Sequence, residues 1–471
     1  MENPIPFGGL LTREAVSTQE MRELWTEGAM LDTWLRVERV VLQEQIALDM
    51  IPSGPGVKLL EALDAIQIQP DQVLVRKGEV GHLMVAFLKT LRHLCGESAE
   101  HLHVGPTTQD IMDTGMVLQM NPAHDLIQKQ SADLCLILCD RAEEYRETVV
   151  MGRTHQQPAL PTSFGLVLAG WALCVQDHRV RLNEARRRWL IGSLSGGVGT
   201  QSAFVELADP LNARELERRM CIQLGLAVPP MDLQERFDRF SEPVTLLAGI
   251  SSSLSKMAMD LVHGMQVELD EIAVNLNREE HSSSTMPHKQ NPESLEHLAG
   301  LASLVQGYAH AMLSVRQTGH RDATRIPVLW TALPGAYLMT SRALANLNKA
   351  MDRLVIHPEA MRGNVFNPRL LDQVATERIM IALYRKTGKK MLIHQKLHDL
   401  CTMARDQNLS LKTLANQEPD LRSPFTEREW DDLFDISTYL GTAPMQVDDV
   451  VKRLRREIFD EEGQANSSLQ D

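Results

Sequence analysis

The sequence has few aromatic residues, and aromatic side chains make up only 4% of its 471 residues. Methionine, in contrast, occurs 23 times. Because sheets are enriched in Tyr, Phe, Val and Ile while helices favour Leu, Ala and Met, this composition predicts a helical protein.

Positive charge is also scarce. The 48 Lys and Arg residues stand against 62 Asp and Glu residues, which leaves a formal net charge of −14. Nucleic-acid-binding proteins usually carry a basic stripe, so a nucleic-acid partner is disfavoured. The densest basic run, Arg186 to Arg188, lies in a polar helical pattern and predicts a solvated face or an intersubunit salt-bridge strip.

The sequence contains no apolar run of about eighteen residues, and its first ten residues lack the basic start and apolar centre of a signal peptide. Its six cysteines are scattered. Cys135 and Cys139 have no second pair or flanking histidine, which favours buried thiols over a zinc site. We therefore expect a cytoplasmic protein in a reducing compartment, without a metal site or a membrane contact.

Apolar residues recur at the helical period along most of the chain. From Leu247 to Leu276 they are spaced by about 3.6 residues, which predicts one long helix of the kind that packs in a bundle. Similar patterns cover residues 17–50, 124–150, 164–190, 293–316 and 332–354. The expected domains are an N-terminal helical domain over 1–110, a central helix bundle over 111–356 and a C-terminal helical cap over 357–471.

Three polar loops interrupt these patterns, and the first precedes a helix start. Gly105 and Pro106 break the chain, after which Thr107, Thr108 and Gln109 offer hydroxyl, amide and backbone N–H donors. Helix starts favour anions, so this loop is a candidate anion site. The alternative is that a threonine only caps the helix.

The second loop, over residues 151–165, contains two prolines and two glycines, which predict irregular structure. It holds Arg153, Thr154, His155 and Gln157 close together. A histidine titrates near neutral pH and can donate a proton to a leaving group. A purely structural histidine is the alternative.

The third loop joins the predicted long helix to another that begins near Asn291. Asn291 could cap that helix, and Lys289 and Glu296 could be surface charges. Met286 and Pro287, however, lie in the middle of the polar stretch, which suggests a loop that closes on a ligand.

These loops carry a family resemblance. The segment SSSTMPHKQNPESLE at 282–296 resembles the GSSxMPxKxNxxxxE signature of the fumarase/aspartase superfamily. HVGPTTQDIMDTGMVLQM resembles its TSxD region, and MGRTHQQPALPTSFG resembles the GRTHxQxAxPxTFG region of the adenylosuccinate lyase and 3-carboxy-cis,cis-muconate cycloisomerase branch. With SLSGGVGT at 193–200 and YLGTAP at 439–444, the resemblance covers nearly the whole chain.

The resemblance implies an all-α, three-domain fold in which the central helices of four subunits form a twenty-helix core. It implies a homotetramer with active sites shared among three subunits, a small dicarboxylate substrate, and neither a metal nor an organic cofactor. Ser283 would be the general base, assisted by Lys289, and His155 would protonate the leaving group while Glu296 orients it. His82 would lie near the substrate. The residues implied in substrate binding are Thr107, Thr108, Gln109, Arg153, Thr154, Gln157, Gln234, Met286, Asn291 and Arg321.

Within the branch, the TSxD-like region and the segment at 320–334 resemble the cycloisomerases, and the SHSSAER motif of adenylosuccinate lyases is absent. His155, however, stands where bacterial cycloisomerases typically carry Trp, which favours elimination. Two departures, Ser282 for glycine and Gln290 for arginine, favour an unusual substrate.

We therefore expect a lyase that eliminates fumarate from an N-substituted aspartate, with the amine left open. The alternatives are a lactonising cycloisomerase, an adenylosuccinate lyase and a non-catalytic structural homolog.

Overall fold

A computed structural model describes residues 9, 11–274, 285–286, 288–315 and 321–467, with the side chains of the last helix described to residue 461. This part of the chain is mainly α-helical, as the composition predicts. It divides into two compact units. Unit 1 comprises Met1–Ser131, Asp177–Lys256 and His297–Leu347, and unit 2 comprises Ala132–Gln176, Met257–Glu296 and Asn348–Asp471. The three-domain division stays a prediction.

Twenty α-helices lie in the described part of the chain. They are α1 (Arg13–Val16), α2 (Gln19–Leu24), α3 (Glu27–Ala47), α4 (Ser53–Asp64), α5 (Pro70–Val80), α6 (Leu83–Cys95), α7 (Thr108–Glu144), α8 (Phe164–Trp189), α9 (Ser202–Leu207), α10 (Pro210–Gln223), α11 (Asp238–Gly264), α12 (Glu293–Ser314), α13 (Arg325–Asp352), α14 (Pro358–Val365), α15 (Thr376–Thr387), α16 (Lys390–Gln407), α17 (Leu411–Ala415), α18 (Pro419–Arg422), α19 (Glu427–Phe434) and α20 (Ala443–Ser467). Short 3₁₀ helices cover Gly96–His101, Pro368–Leu370, Gln373–Ala375 and Ile436–Thr438.

Four short strands complete the described structure. They are β1 (Val149–Thr154), β2 (Gln157–Ser163), β3 (Ile272–Val274) and β4 (Leu354–Ile356). β1 pairs with β2, and β3 pairs with β4, both antiparallel.

Polar side chains fix several helix starts. Thr26 accepts a hydrogen bond from the Ala29 backbone N–H at 3.1 Å, and Asp209 accepts from the first turn of α10. Such caps satisfy backbone donors that have no partner within the helix, and each is worth about 1 kcal/mol.

Unit 1 has a core of large side chains between α3, α6 and α7. Trp34 is 1% exposed and meets the Phe87 ring edge-on, with the ring centroids 5.5 Å apart. A Cβ on Gly115 would lie 2.5 Å from the Trp34 ring, so only glycine allows α7 to approach α3 this closely. The long helix α7 is thereby held at its N-terminal part.

Unit 2 has its own core, which the C-terminal helices form together with the start of the β1–β2 hairpin. Val149 and Met151 of β1 belong to the same buried cluster as Leu383, Leu397 and Trp430. Burial of each such side chain stabilises the fold by about 1.5–3 kcal/mol. The C-terminal helices therefore support the base of this hairpin.

The long helix predicted from Leu247 to Leu276 is wrong beyond Gly264, where α11 ends. A Cβ on Gly264 would lie 3.0 Å from Ile272, so the chain folds closely back on itself here. Ile272 and Val274 are β-branched and pair with β4. Of these two, Ile272 stood in the predicted helical series, and it matched that spacing by position alone.

Two smaller observations concern the cysteines and the apolar helices. Cys135 and Cys139 are buried, as predicted, and neither forms a disulfide bond. None of the helices in the described part of the chain combines the length and apolar character that a membrane span requires.

Candidate functional site

The loop before α7, in unit 1, is held from two sides. His103 Nδ1 lies 2.6 Å from Glu38 Oε1, and the Gln45 side chain donates to the next carbonyl at 2.7 Å. Gly105 has a φ of 99°, and a Cβ there would lie 2.5 Å from the Phe204 ring. The loop that presents the predicted anion donors is therefore tightly fixed by α3 and α9.

Asp110, in the first turn of α7, ties this loop to two other segments of unit 1. Its Oδ2 accepts from the backbone N–H groups of Thr107 at 3.0 Å and Gly196 at 2.9 Å. Its Oδ1 accepts from the Ser195 N–H at 3.0 Å and from Gln234 Nε2 at 2.9 Å. Burial raises the pKa of Asp110, while these donors oppose the rise. One carboxylate thus organises three segments.

Gln234 and Arg321, both predicted to bind substrate, meet at this cluster. Arg321 Nη1 donates to Gln234 Oε1, and Arg321 Nη2 lies 2.5 Å from Asp232 Oδ2. The guanidinium side chain is 20% exposed, so it keeps some access to solvent.

Two further buried arginines contact α7. Arg239 and Arg325 share Asp113, with nitrogen to oxygen distances of 3.4 Å and 3.2 Å, and Gln109 donates to the other oxygen of Asp113. Burial lowers the pKa of Arg239. The Asp113 carboxylate is thus shared by two buried guanidinium groups and one side-chain amide.

Thr107, Thr108 and Gln109 are half-buried at that start. Thr108 is the first residue of α7, so the predicted helix start is confirmed. Substrate binding by these residues stays a prediction.

In unit 2, the prediction of irregular structure over 151–165 is wrong, because β1 and β2 form a hairpin there. Pro158 and Pro161 are tolerated since a two-stranded sheet leaves each strand an unpaired edge. Gly152 allows close pairing, because a Cβ on it would lie 2.6 Å from the Leu160 carbonyl oxygen.

His155 and Gln156 form the two-residue turn of this hairpin, with φ values of 51° and 62°. Thr154, His155 and Gln157 are exposed at the tip. Residues other than glycine are strained in this left-handed region, and strain of this kind is concentrated at functional sites. The predicted proton donor is therefore an exposed residue of a strained turn.

Arg153 lies two residues before His155. Its guanidinium donates to Glu271 at 2.9 Å, a contact that no motif in the sequence predicts.

The signature segment is described only in part. Ser283, the predicted base, lies outside the described residues. Met286 and Lys289 are exposed and joined by a turn in which the Lys289 N–H donates to the Met286 carbonyl at 3.0 Å. Asn291 is half-buried, and Glu296 is exposed in the first turn of α12.

His82, in unit 1, caps α6, and its Nδ1 accepts from the Val85 N–H at 3.4 Å. The catalytic role that the resemblance implies for His82 stays a prediction. Among the described residues, no cluster of three or more His, Cys, Asp or Glu side chains is arranged to hold a metal ion.

Sequence reasoning missed the buried charges that support these groups. Asp110 and Asp113 lie inside the TSxD-like segment, which is the one signal in the sequence that could have found them. Arg239 and Glu271 gave none, because charged residues in helical patterns are usually exposed.

Comparisons with known proteins extend over nearly the whole chain. Residues 13–307 match the family model described as Lyase, and residues 372–450 match the one described as Adenylosuccinate lyase C-terminus. The chain is 31% identical over 444 residues to N-acetyl-S-(2-succino)cysteine lyase of Dickeya dadantii (strain 3937), which covers 94% of this chain and 96% of the relative.

Solved structures are similar over a comparable length. The fumarate lyase from Mesorhizobium sp. BNC1 superposes with a TM-score of 0.84 and 28% identity, covering 93% of this chain and 98% of that one. The 3-carboxy-cis,cis-muconate lactonizing enzyme from Pseudomonas putida gives a TM-score of 0.85 and 26% identity, covering 95% and 99%.

Proposed function

Because the chain belongs to the Lyase family of the fumarase/aspartase superfamily, and is an enzyme of that superfamily, we propose that it releases fumarate from a small succinylated substrate. One observation carries the proposal. The relative that is 31% identical over 94% of this chain is named for the cleavage of an S-(2-succino)cysteine compound.

The first step is removal of a proton from the carbon next to a substrate carboxylate. We assign this step to Ser283, whose hydroxyl must be ionised in a site from which water is excluded. The charge then spreads onto the carboxylate, where preorganised donors stabilise it. Thr107 and Thr108 suit that role since they stand at the start of α7, where the helix dipole favours an anion, and Lys289 and Asn291 supply further donors.

In the second step, the bond between carbon and the leaving atom breaks, and its electron pair goes to that atom. His155 delivers a proton to it, and Glu296 orients the imidazole. The sequence favours nitrogen as the leaving atom, whereas the name of the relative favours sulfur. A thiolate leaves more readily than an amide ion, so a sulfur substrate depends less on His155.

We further propose a homotetramer with active sites shared among three subunits, as the resemblance implies. Sedimentation at micromolar concentration should then show a particle of about four times the 52.9 kDa chain mass. A stable monomer would contradict this assembly.

The experiment is a fumarate-release assay by ultraviolet absorbance on three substrates: N-acetyl-S-(2-succino)cysteine, adenylosuccinate and another N-succinyl amine. We expect release from the thioether or from the small amine, and little from adenylosuccinate. Because the lactonizing enzyme superposes with a TM-score of 0.85, carboxymuconate is tested in parallel. Lactone formation without fumarate release from any succinyl compound would favour the cycloisomerase and refute the proposed function.

A further inference from the structure

Unit 2 contains a group of polar contacts that begins two residues before His155 and has no role in the proposed chemistry. Arg153 Nη2 donates to Glu271 Oε1 at 2.9 Å, and Arg153 Nη1 donates to Glu271 Oε2 at 3.4 Å. The Glu271 side chain is only 8% exposed. Asn364 Nδ2 donates to Glu271 Oε1 at 3.0 Å and to the Leu269 carbonyl at 2.8 Å. We call Arg153, Glu271 and Asn364 the latch.

Arg153 belongs both to the latch and to β1 of the hairpin, and it lies at the point where the strand pairing is irregular. The register of β1 against β2 shifts between Gly152 and Arg153. Such a bulge disrupts the ladder and bends the strand. The ladder alone therefore fixes the two residues that follow, Thr154 and His155, less firmly than it fixes Val149 and Val150.

The surroundings of the hairpin change along β1. Val149 and Met151 lie in the C-terminal core, whereas Arg153, which is not part of that core, borders a cavity of about 270 Å³ that Met151 also lines. Gln156 and Pro158, on the far side of the turn, line the same cavity. The bidentate ion pair is thus a contact that ties the hairpin to Glu271 between its packed base and its exposed tip.

We propose that the latch is a positioning group that holds His155 in the orientation needed for proton transfer. This inference rests on the proposed function, in which His155 is the proton donor. The resemblance implies that Arg153 binds substrate, whereas the inference gives Arg153 a positioning role that acts on His155 through the hairpin. Glu271 and Asn364 become positioning residues of the reaction.

The first test measures hydrogen exchange at residues 149–163 and does not require activity. Glu271→Gln weakens the ion pair and should speed exchange in the hairpin. The control is Glu268→Gln, the same chemical change at an exposed residue of the same cavity wall that makes no ion pair with a described residue. Equal exchange in the two variants would overturn the latch, whatever the enzyme's substrate.

The second test is a double-mutant cycle on fumarate release. A displacement of about 1 Å can cost about 100-fold in rate, so Glu271→Gln should lower kcat by about 10- to 100-fold and change KM by less than about 2-fold. In the His155→Ala background it should cost little more, because nothing remains to be positioned. If the fold-losses in kcat of the two single variants multiply in the double variant, the inference is overturned.

Arg153→Lys separates positioning from direct substrate binding. A positioning role predicts a lower kcat with faster hairpin exchange, whereas a raised KM with unchanged exchange would overturn the inference. If the wild-type enzyme releases no fumarate, the proposed function fails and hydrogen exchange alone decides the latch. If fumarate is released but His155→Ala keeps the full rate, the positioning role fails while the elimination stands.

Discussion

The strained turn at the tip of the hairpin allows stability and activity to be changed separately. His155 and Gln156 both adopt positive φ, as in the type I′ turns where Asn-Gly is preferred. A left-handed conformation costs a residue with a Cβ about 1–2 kcal/mol. Glycine removes that cost but adds about 0.5–1 kcal/mol of chain entropy lost on folding. Each substitution to glycine should therefore stabilise the fold by about 0.5–1 kcal/mol.

The two substitutions should differ in activity. Gln156→Gly relieves the backbone and keeps the imidazole, so the variant should be more stable and should retain fumarate release within a few-fold. His155→Gly should be equally stabilised and should lose about 100-fold or more in kcat on a substrate with a nitrogen leaving group. Denaturant unfolding measures the first quantity, and the absorbance assay measures the second.

His155→Ala is the matched control. It keeps a Cβ at positive φ while removing the imidazole, so it should be as inactive as His155→Gly without the gain in stability. The reasoning is refuted if Gln156→Gly destabilises the protein, or if both variants at position 155 retain the wild-type rate on that substrate.

Three further predictions concern other groups. Each carboxylate oxygen of Asp110 accepts hydrogen bonds from N–H groups, whereas an asparagine would place an NH₂ group against the donors of one oxygen. Asp110→Asn should therefore lower the free energy of unfolding in urea by about 2–4 kcal/mol. A loss below about 0.5 kcal/mol would contradict the network. Burial raises the pKa of Glu217 from 4.5 to about 7. The protonated carboxyl therefore contributes to stability fully below pH 4.5, and the free energy of unfolding should fall by about 3 kcal/mol as the pH rises to 7. Glu217→Gln should flatten this pH dependence of unfolding, and an unchanged slope would exclude Glu217 as its source. Ser283→Ala should lower turnover by about 100- to 10,000-fold while substrate still binds, whereas an effect confined to Ser284→Ala would move the base to the neighbouring serine.

The helices that the sequence predicted well are those whose apolar period and end signals are local. The pattern over 164–190 corresponds to α8, and the pattern over 293–316 corresponds to α12. The pattern to Leu276 failed because the choice between helix and strand after Gly264 depends on pairing with β4, which lies far along the chain. The hairpin at His155 was missed because prolines and glycines mark turns and strand edges equally well.

The candidate site shows the same division between local and distant information. His155 and Lys289 could be singled out from the sequence because they stand in short motifs. The buried ion pairs of the structure join residues that are 118 positions apart in the Arg153–Glu271 pair and 212 positions apart in the Asp113–Arg325 pair. No local spacing encodes such pairs, since each member alone resembles a surface charge. In the proposed positioning role, such pairs fix where a reactive group lies, and a change of about 1 Å in that position alters rates about as strongly as loss of a donor does. The motifs therefore support the assignment to the superfamily, whereas the buried ion pairs could be located only in the structure.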